Sequence, residues 1–273
     1  HSFPTRRSSD LFRPGTLERL GLGPDVLHAR NPRLVVTRVT GFGQTGPYRQ
    51  RPGFATIAES MSGLAAISGE PGGQPLLPPI ALTDELTGLA AAFATLVAVH
   101  SGVGQVVDVT LIESLFQFMS PLVTLYGLTG ELQGRLGAGL PYTVPRGTYQ
   151  CSDGAWVGLS ASSDSVAARL LNLLGVGDDP RFATFVSRME HREELEGIMR
   201  DWCAVRTRDE VLAAFAEAEA AVGPVMDIAD ITADPHYQAR EAIVELDGTP
   251  MQGLIAKLSA TPGRLQWQGR AMD

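Results

Sequence analysis

Hydrophobic and polar positions change their period several times along the chain. LVVTRVT, Leu34 to Thr40, is a continuous β-branched run and predicts a buried strand. Before it, Thr16 as a cap and Gly21 as a stop predict one short helix. Pro24 and the Asn31-Pro32 pair bracket a second, Asp25 to Arg30. Gly41 to Pro52 reads as loop, Phe54 to Ser62 as helix, and Leu64 to Ser68 as a short apolar segment. A long helix is predicted from about Thr83, as N-cap, to about His100; its Ala-rich stretch Leu86 to Val99 reads as buried. Val106 to Thr110 returns to a strand and runs into another helix. Strand and helix alternate throughout this half, as in an α/β domain.

The pattern changes after about Leu140. Two short strands flank Ser152-Asp153-Gly154 within Tyr149 to Ser160, a hairpin signal. Helices are predicted over Asp164 to Leu174, Arg192 to Cys203 and Thr207 to Glu219, the last with Thr207 as cap and Glu210 in the capping-box position. Ala242 to Asp247 and Leu254 to Leu258 read as strands. Gly and Pro concentrate in GAGLPYTVPRG, which puts a domain boundary near 140–147.

Composition narrows the function. The 273 residues fit one large domain or two smaller ones. With 44% hydrophobic and 19% charged residues, they can build an ordinary core. The net charge of −8 argues against binding nucleic acid or an anionic membrane surface, and an aromatic share of 7% argues against base-stacking platforms. Cys151 and Cys203 lie too far apart for a zinc or disulfide framework and read as reduced, buried thiols. His28, His191 and His236 show no metal spacing, so no metal is expected. No apolar run reaches membrane-span length and no signal peptide is evident, so a cytoplasmic enzyme is expected.

Two motifs carry chemistry. GFGQTG, Gly41 to Gly46, fits the dinucleotide pattern GxGxxG and follows a strand. That pattern needs a helix at once, and Pro47, Pro52 and Gly53 prevent one. PPIALTDELTG, Pro78 to Gly88, puts Asp84 just inside a long apolar helix. Taken alone, Asp84 is an ordinary first-turn acid.

The order of segments resembles family III (CaiB/BaiF-type) coenzyme A transferases. FRPGTLERLGL, NPRLVVTRVTGFGQTGPY, GFATIAESMSGLAAISG, PPIALTDELTGLAAAFATL and GQVVDVTLIES follow one another as that family's segments do. The resemblance implies an α/β fold, with a Rossmann-like large domain and a smaller α+β domain, in an interlocked homodimer. It implies transfer of CoA from an acyl-CoA donor to a carboxylic acid acceptor, with Asp84 as nucleophile and an aspartyl-CoA intermediate. By the same resemblance Phe12, Arg13 and Arg19 fall at nucleotide-contacting positions, and Arg51, Pro52, Gly53 and Phe54 where the pantetheine arm lies. Acyl-CoA is then a substrate, and no permanently bound cofactor is implied.

The chain departs from the family pattern in places. Ala55 and Glu59 replace its usual acid and glutamine, and the segment His100 to Gln105 is short. The superfamily's 2-methylacyl-CoA racemases place His-Asp thirty residues before the catalytic aspartate. Phe54 and Ala55 stand there and cannot move protons, which disfavours that alternative. HSFPTRRSSDL is similar to a translated short-read sequencing adapter, so residues 1–11 are expected to be a non-native segment that says nothing of the fold class. The expected organisation is a partial large CoA-binding domain over 12–140, a small domain over 141–250, and a truncated return segment over 251–273. The family's first βα units are expected to be missing, which leaves an inactive fragment as a further alternative.

Overall fold

The structure is a computed structural model and describes residues 7–10 as backbone, 12–119 and 121–268. The chain divides into two compact units, His1–Pro141 and Tyr142–Asp273.

The first unit opens with strand β1 (Arg7–Asp10), the short helices α1 (Thr16–Arg19) and α2 (Pro24–Arg30), and strand β2 (Val35–Thr40). Helices α3 (Ala55–Met61), α4 (Leu64–Ile67) and α5 (Leu82–Ser101) follow, then strand β3 (Gln105–Thr110) and helices α6 (Leu111–Phe116) and α7 (Leu122–Thr129). The three strands form a parallel sheet in the order β1-β2-β3. Val35 and Val36 on the central strand are fully buried, as the β-branched run predicts.

Arg7–Asp10, within the segment expected to be non-native, pairs with β2 as an edge strand, while residues 1–6 and 11 lie outside the described residues. Main-chain pairing explains it. An edge of β2 offers N–H and C=O groups to any extended segment in reach, whatever its side chains.

Helix α5 is where the hydrophobic pattern misled. Its buried stripe is Thr83, Thr87, Ala91, Thr95 and Ala98, while Leu89, Phe93, Leu96 and Val97 are more than half exposed. Small side chains let the helix approach the sheet closely. The Thr95 and Thr37 hydroxyls meet at 2.6 Å across that contact, and the Thr95 hydroxyl also donates to the Ala91 carbonyl. The bulky residues therefore face outward. By length and composition alone α5 also reaches the size of a membrane span, contrary to the sequence expectation.

The second unit begins with the antiparallel hairpin β4 (Arg146–Gln150) and β5 (Trp156–Ser160). Helices α8 (Asp164–Leu173), α9 (Phe185–Glu190), α10 (Arg192–Ala204) and α11 (Arg208–Glu217) follow. Strand β6 (Val222–Pro224) pairs with β5. Helices α12 (Ile228–Ala233) and α13 (Pro235–Ala239) lead to the hairpin β7 (Ile243–Leu246) and β8 (Thr249–Gln252). Its core joins Tyr149, Val157, Leu170, Met199, Val211 and Phe215 around both cysteines. Helix α11 starts with the predicted capping box: the Thr207 hydroxyl accepts from the Glu210 N–H and the Glu210 carboxylate accepts from the Thr207 N–H.

The final hairpin corrects the strand expected over Leu254 to Leu258. Asp247 and Gly248, both at positive φ, make a two-residue turn straight after β7. The returning strand therefore comes earlier, at Thr249–Gln252.

Candidate functional site

The site is built on the loop that leaves β2. Residues 41–54 form bends and turns without a helix, so GFGQTG does not lead into a phosphate-binding helix. The loop folds back on itself, and its two limbs touch through glycine. A Cβ on Gly41 would stand 2.8 Å from the Gly53 Cα, closer than packing allows. Between these limbs Phe42 meets Tyr48 edge-on, and the Arg51 guanidinium lies 3.8 Å over the Tyr48 ring.

A cleft of about 180 Å³ opens beside this crossing. Phe12, Arg13 and Pro14 form one wall, and Thr40, Gly41 and Phe42 form another. Arg49, Arg51, Gly53 and Phe54 complete it. Among the described residues three guanidiniums and no carboxylate line the cleft, so it favours an anion such as a phosphate. Phe12 and Phe54 are 51% and 71% exposed and add apolar aromatic surface to its lining.

Five of the seven expected binding residues line this cleft: Phe12, Arg13, Arg51, Gly53 and Phe54. Pro52 is within the same loop but not on the wall. Arg19 is also absent from the wall; it donates to the Thr16 hydroxyl one turn back on α1. Thr16 is the first helical residue of α1, and Gly15, at positive φ, takes the N-cap place expected of it. Sequence reasoning missed Arg49. Its signal was the YRQR tetrad, in which two arginines straddle Gln50 on a loop returning to Gly41.

The wall residues Phe12 to Pro14 run into α1, which is tied to the sheet by an ion pair. Arg38 of β2 is 4% exposed and donates to both Glu18 carboxylate oxygens, at 2.7 and 3.4 Å. The Arg38 hydrogen bond holds the Glu18 carboxyl below the usual carboxylate range.

Asp84 lies in the first turn of α5 and is exposed. The helix begins at Leu82 with Ala81 as N-cap, and no side chain caps it. The expectation of Thr83 as cap is thus corrected. Thr83 is fully buried and its hydroxyl donates 3.0 Å to Oε1 of Glu59, itself 4% exposed. Burial explains the exchange, because a carboxylate enclosed on α3 needs a donor more than an exposed helix end needs a cap. Glu59, singled out only as a departure from the family's glutamine, therefore locks α3 to the first turn of the helix carrying Asp84. Phe54 at the start of α3 lines the cleft, and Glu59 follows five residues on, about 7.5 Å along the axis.

Two other hollows among the described residues lack this chemistry. One of about 430 Å³ behind the Gly43 to Tyr48 limb holds the carboxylates of Asp108 and Glu113 and, among the described residues, no cation. Another of about 380 Å³ beside β7 and β8 contains none of the expected site residues. Among the described residues no group of His, Cys, Asp and Glu could hold a metal ion.

The sequence model of CoA-transferase family III matches residues 9–269. The chain is 40% identical to succinyl-CoA–D-citramalate CoA-transferase of Chloroflexus aurantiacus, over 96% of the chain and 68% of that protein. It is also 40% identical to the beta subunit of succinyl-CoA–L-malate CoA-transferase from the same organism, over 94% of the chain and 67% of that protein. A crystal structure of a CaiB/BaiF family protein from Brucella suis matches with a TM-score of 0.80 at 30% identity, covering 94% of this chain and 69% of that one. The chain spans about two thirds of the length of these relatives.

Proposed function

Because the chain belongs to CoA-transferase family III, and is a transferase with that family's fold, we propose that it moves CoA from an acyl-CoA donor to a carboxylic acid through an aspartyl-CoA intermediate on Asp84. The relatives' names support succinyl-CoA as donor and a short hydroxy-dicarboxylate, of the malate or citramalate kind, as acceptor.

The steps balance as follows. An Asp84 carboxylate oxygen attacks the thioester carbonyl; a C–O bond forms, the C–S bond breaks, and CoA leaves as thiolate. The thiolate then attacks the Asp84 acyl carbon and expels the donor acid as carboxylate. This leaves Asp84 as a CoA thioester. The acceptor carboxylate attacks that thioester and repeats the two exchanges in reverse, which frees Asp84 and yields the new acyl-CoA. Each addition puts negative charge on an oxygen beside the α5 N-terminus, which among the described residues has no side-chain cap.

The observation that carries this reading is the link from cleft to carboxylate. Arg13, Arg49 and Arg51 suit the phosphates of CoA, and α3 runs from that cleft to the Glu59–Thr83 bond next to Asp84. Phe54 and Ala55 hold no group able to abstract an α-proton, which speaks against racemisation. The outward apolar face of α5 supports a homodimer; sedimentation of the full-length gene product would show two copies, and a monomer would contradict it.

The test is incubation of the full-length gene product with succinyl-CoA and either malate or citramalate, followed by chromatography of the CoA esters. The new acyl-CoA and free succinate should appear in equal amounts. Hydrolysis alone, or α-epimerisation without transfer, would overturn the proposal.

A further inference from the structure

Resting on the reading of the arginine-lined cleft as the acyl-CoA site, we infer that the Glu18–Arg38 ion pair is a positioning device that holds the two walls of that cleft at the spacing the ligand needs. The walls come from separate elements. Phe12 to Pro14 precede α1, and Thr40 to Phe42 follow β2. Glu18 is the third residue of α1, and Arg38 lies two residues before Thr40. One ion pair thus joins both walls within a few residues of each.

The pair is asymmetric in a way that suits this role. Arg38 is sunk in the sheet at 4% exposure, while the Glu18 side chain is 43% exposed. A half-exposed pair adds little to global stability. The guanidinium is nevertheless a fixed point, because β2 is the central strand and its neighbours Val35 and Val36 are fully buried. Helix α1 is only four residues long, with Leu17 as its one buried residue. So short an element cannot set its own orientation. A two-point contact to a buried guanidinium can, and Arg13 and Phe12 move with α1 because the Thr16 N–H donates to the Arg13 carbonyl at 3.1 Å. Order imposed before binding lowers the entropy lost when the ligand arrives.

The test uses the full-length gene product and titrates CoA by calorimetry alongside steady-state kinetics. Glu18→Gln keeps the shape and one acceptor oxygen but removes the charge. It should weaken CoA binding about tenfold and raise KM for acyl-CoA equally, with kcat within about twofold of wild type. Arg38→Met should do the same, and the double variant should bind no more weakly than Arg38→Met alone. Arg181→Gln, which cuts an exposed pair with Asp179 and Glu194 in the other unit, should leave CoA binding unchanged. Unaltered CoA affinity in Glu18→Gln would overturn the inference and leave the cleft reading intact. So would a fall in kcat with affinity unchanged, or a Glu18→Gln protein that does not fold. Wild-type protein that binds no CoA would overturn both.

Discussion

Replacing Thr83 with valine removes one hydroxyl at nearly constant volume, at a point where the structure leaves no room for compensation. Thr83 is fully buried, its acceptor Glu59 is 4% exposed, and the bond is 3.0 Å. Water cannot readily replace the lost donor, so the cost is that of a buried hydrogen bond to a carboxylate, about 1.5–3 kcal/mol. A transition in a protein of this size moves by about 2–4 °C per kcal/mol, so the Tm should fall by about 3–12 °C. Glu59→Gln is the matched control: its amide oxygen still accepts from Thr83, and the loss should stay below about 1 kcal/mol. Calorimetry and urea denaturation of the full-length gene product give both values, and kcat reports whether Asp84, the next residue, has shifted. Thr83→Val within about 0.5 kcal/mol of wild type would refute the reasoning, because the two side chains would then not be the lock between α3 and α5.

Other expectations follow from the same geometry. Gly41→Ala puts a methyl 2.8 Å from the Gly53 Cα, so it should spread the loop and weaken CoA binding at least tenfold, read by calorimetry; normal binding would mean that the limbs separate freely. Burial pushes the Cys203 thiol up to about 12 and raises that of Cys151 too, so neither should react with a disulfide reagent at pH 8 until urea is added; rapid labelling of the native protein would contradict their burial. Arg38 holds the Glu18 carboxyl below its usual 4.5, so its contribution is present above that pH and is lost as pH falls through the lowered value. The Tm gap between wild type and Glu18→Gln should therefore be small, steady from pH 7 to about 5, and close on further acidification; a gap that widens in acid would contradict the pairing.

Local signals read well where one force dominates. The Thr207 and Glu210 capping box and the β-branched strand after Leu34 depend on adjacent residues, and both stand as the sequence predicts. The five ordered segments from Phe12 to Ser114 were enough to point to the family, and the fold follows. Three of the failures share a cause, because each turned on a partner distant in sequence. Leu86 to Val99 looks like a buried helix by hydrophobicity. Close approach to β2 selects the Thr and Ala stripe instead, and nothing in one helix reveals which stripe a sheet will accept. Thr83 looks like a cap until Glu59, 24 residues earlier, claims its hydroxyl. Arg49 looks like a surface charge until the loop crosses at Gly41 and Gly53. The Asp247-Gly248 turn was different: that dipeptide is a strong hairpin signal, and it was legible.

The central claim is that Asp84 carries CoA covalently, and peptide mass spectrometry tests it most directly. The full-length gene product would be mixed with succinyl-CoA without acceptor, quenched in acid and digested. The peptide containing Asp84 should gain the mass of CoA less one water, lose it on treatment with hydroxylamine, and gain nothing in Asp84→Asn, which should also lack transfer activity. Transfer that persists in Asp84→Asn, or an adduct on a different peptide, would contradict the account.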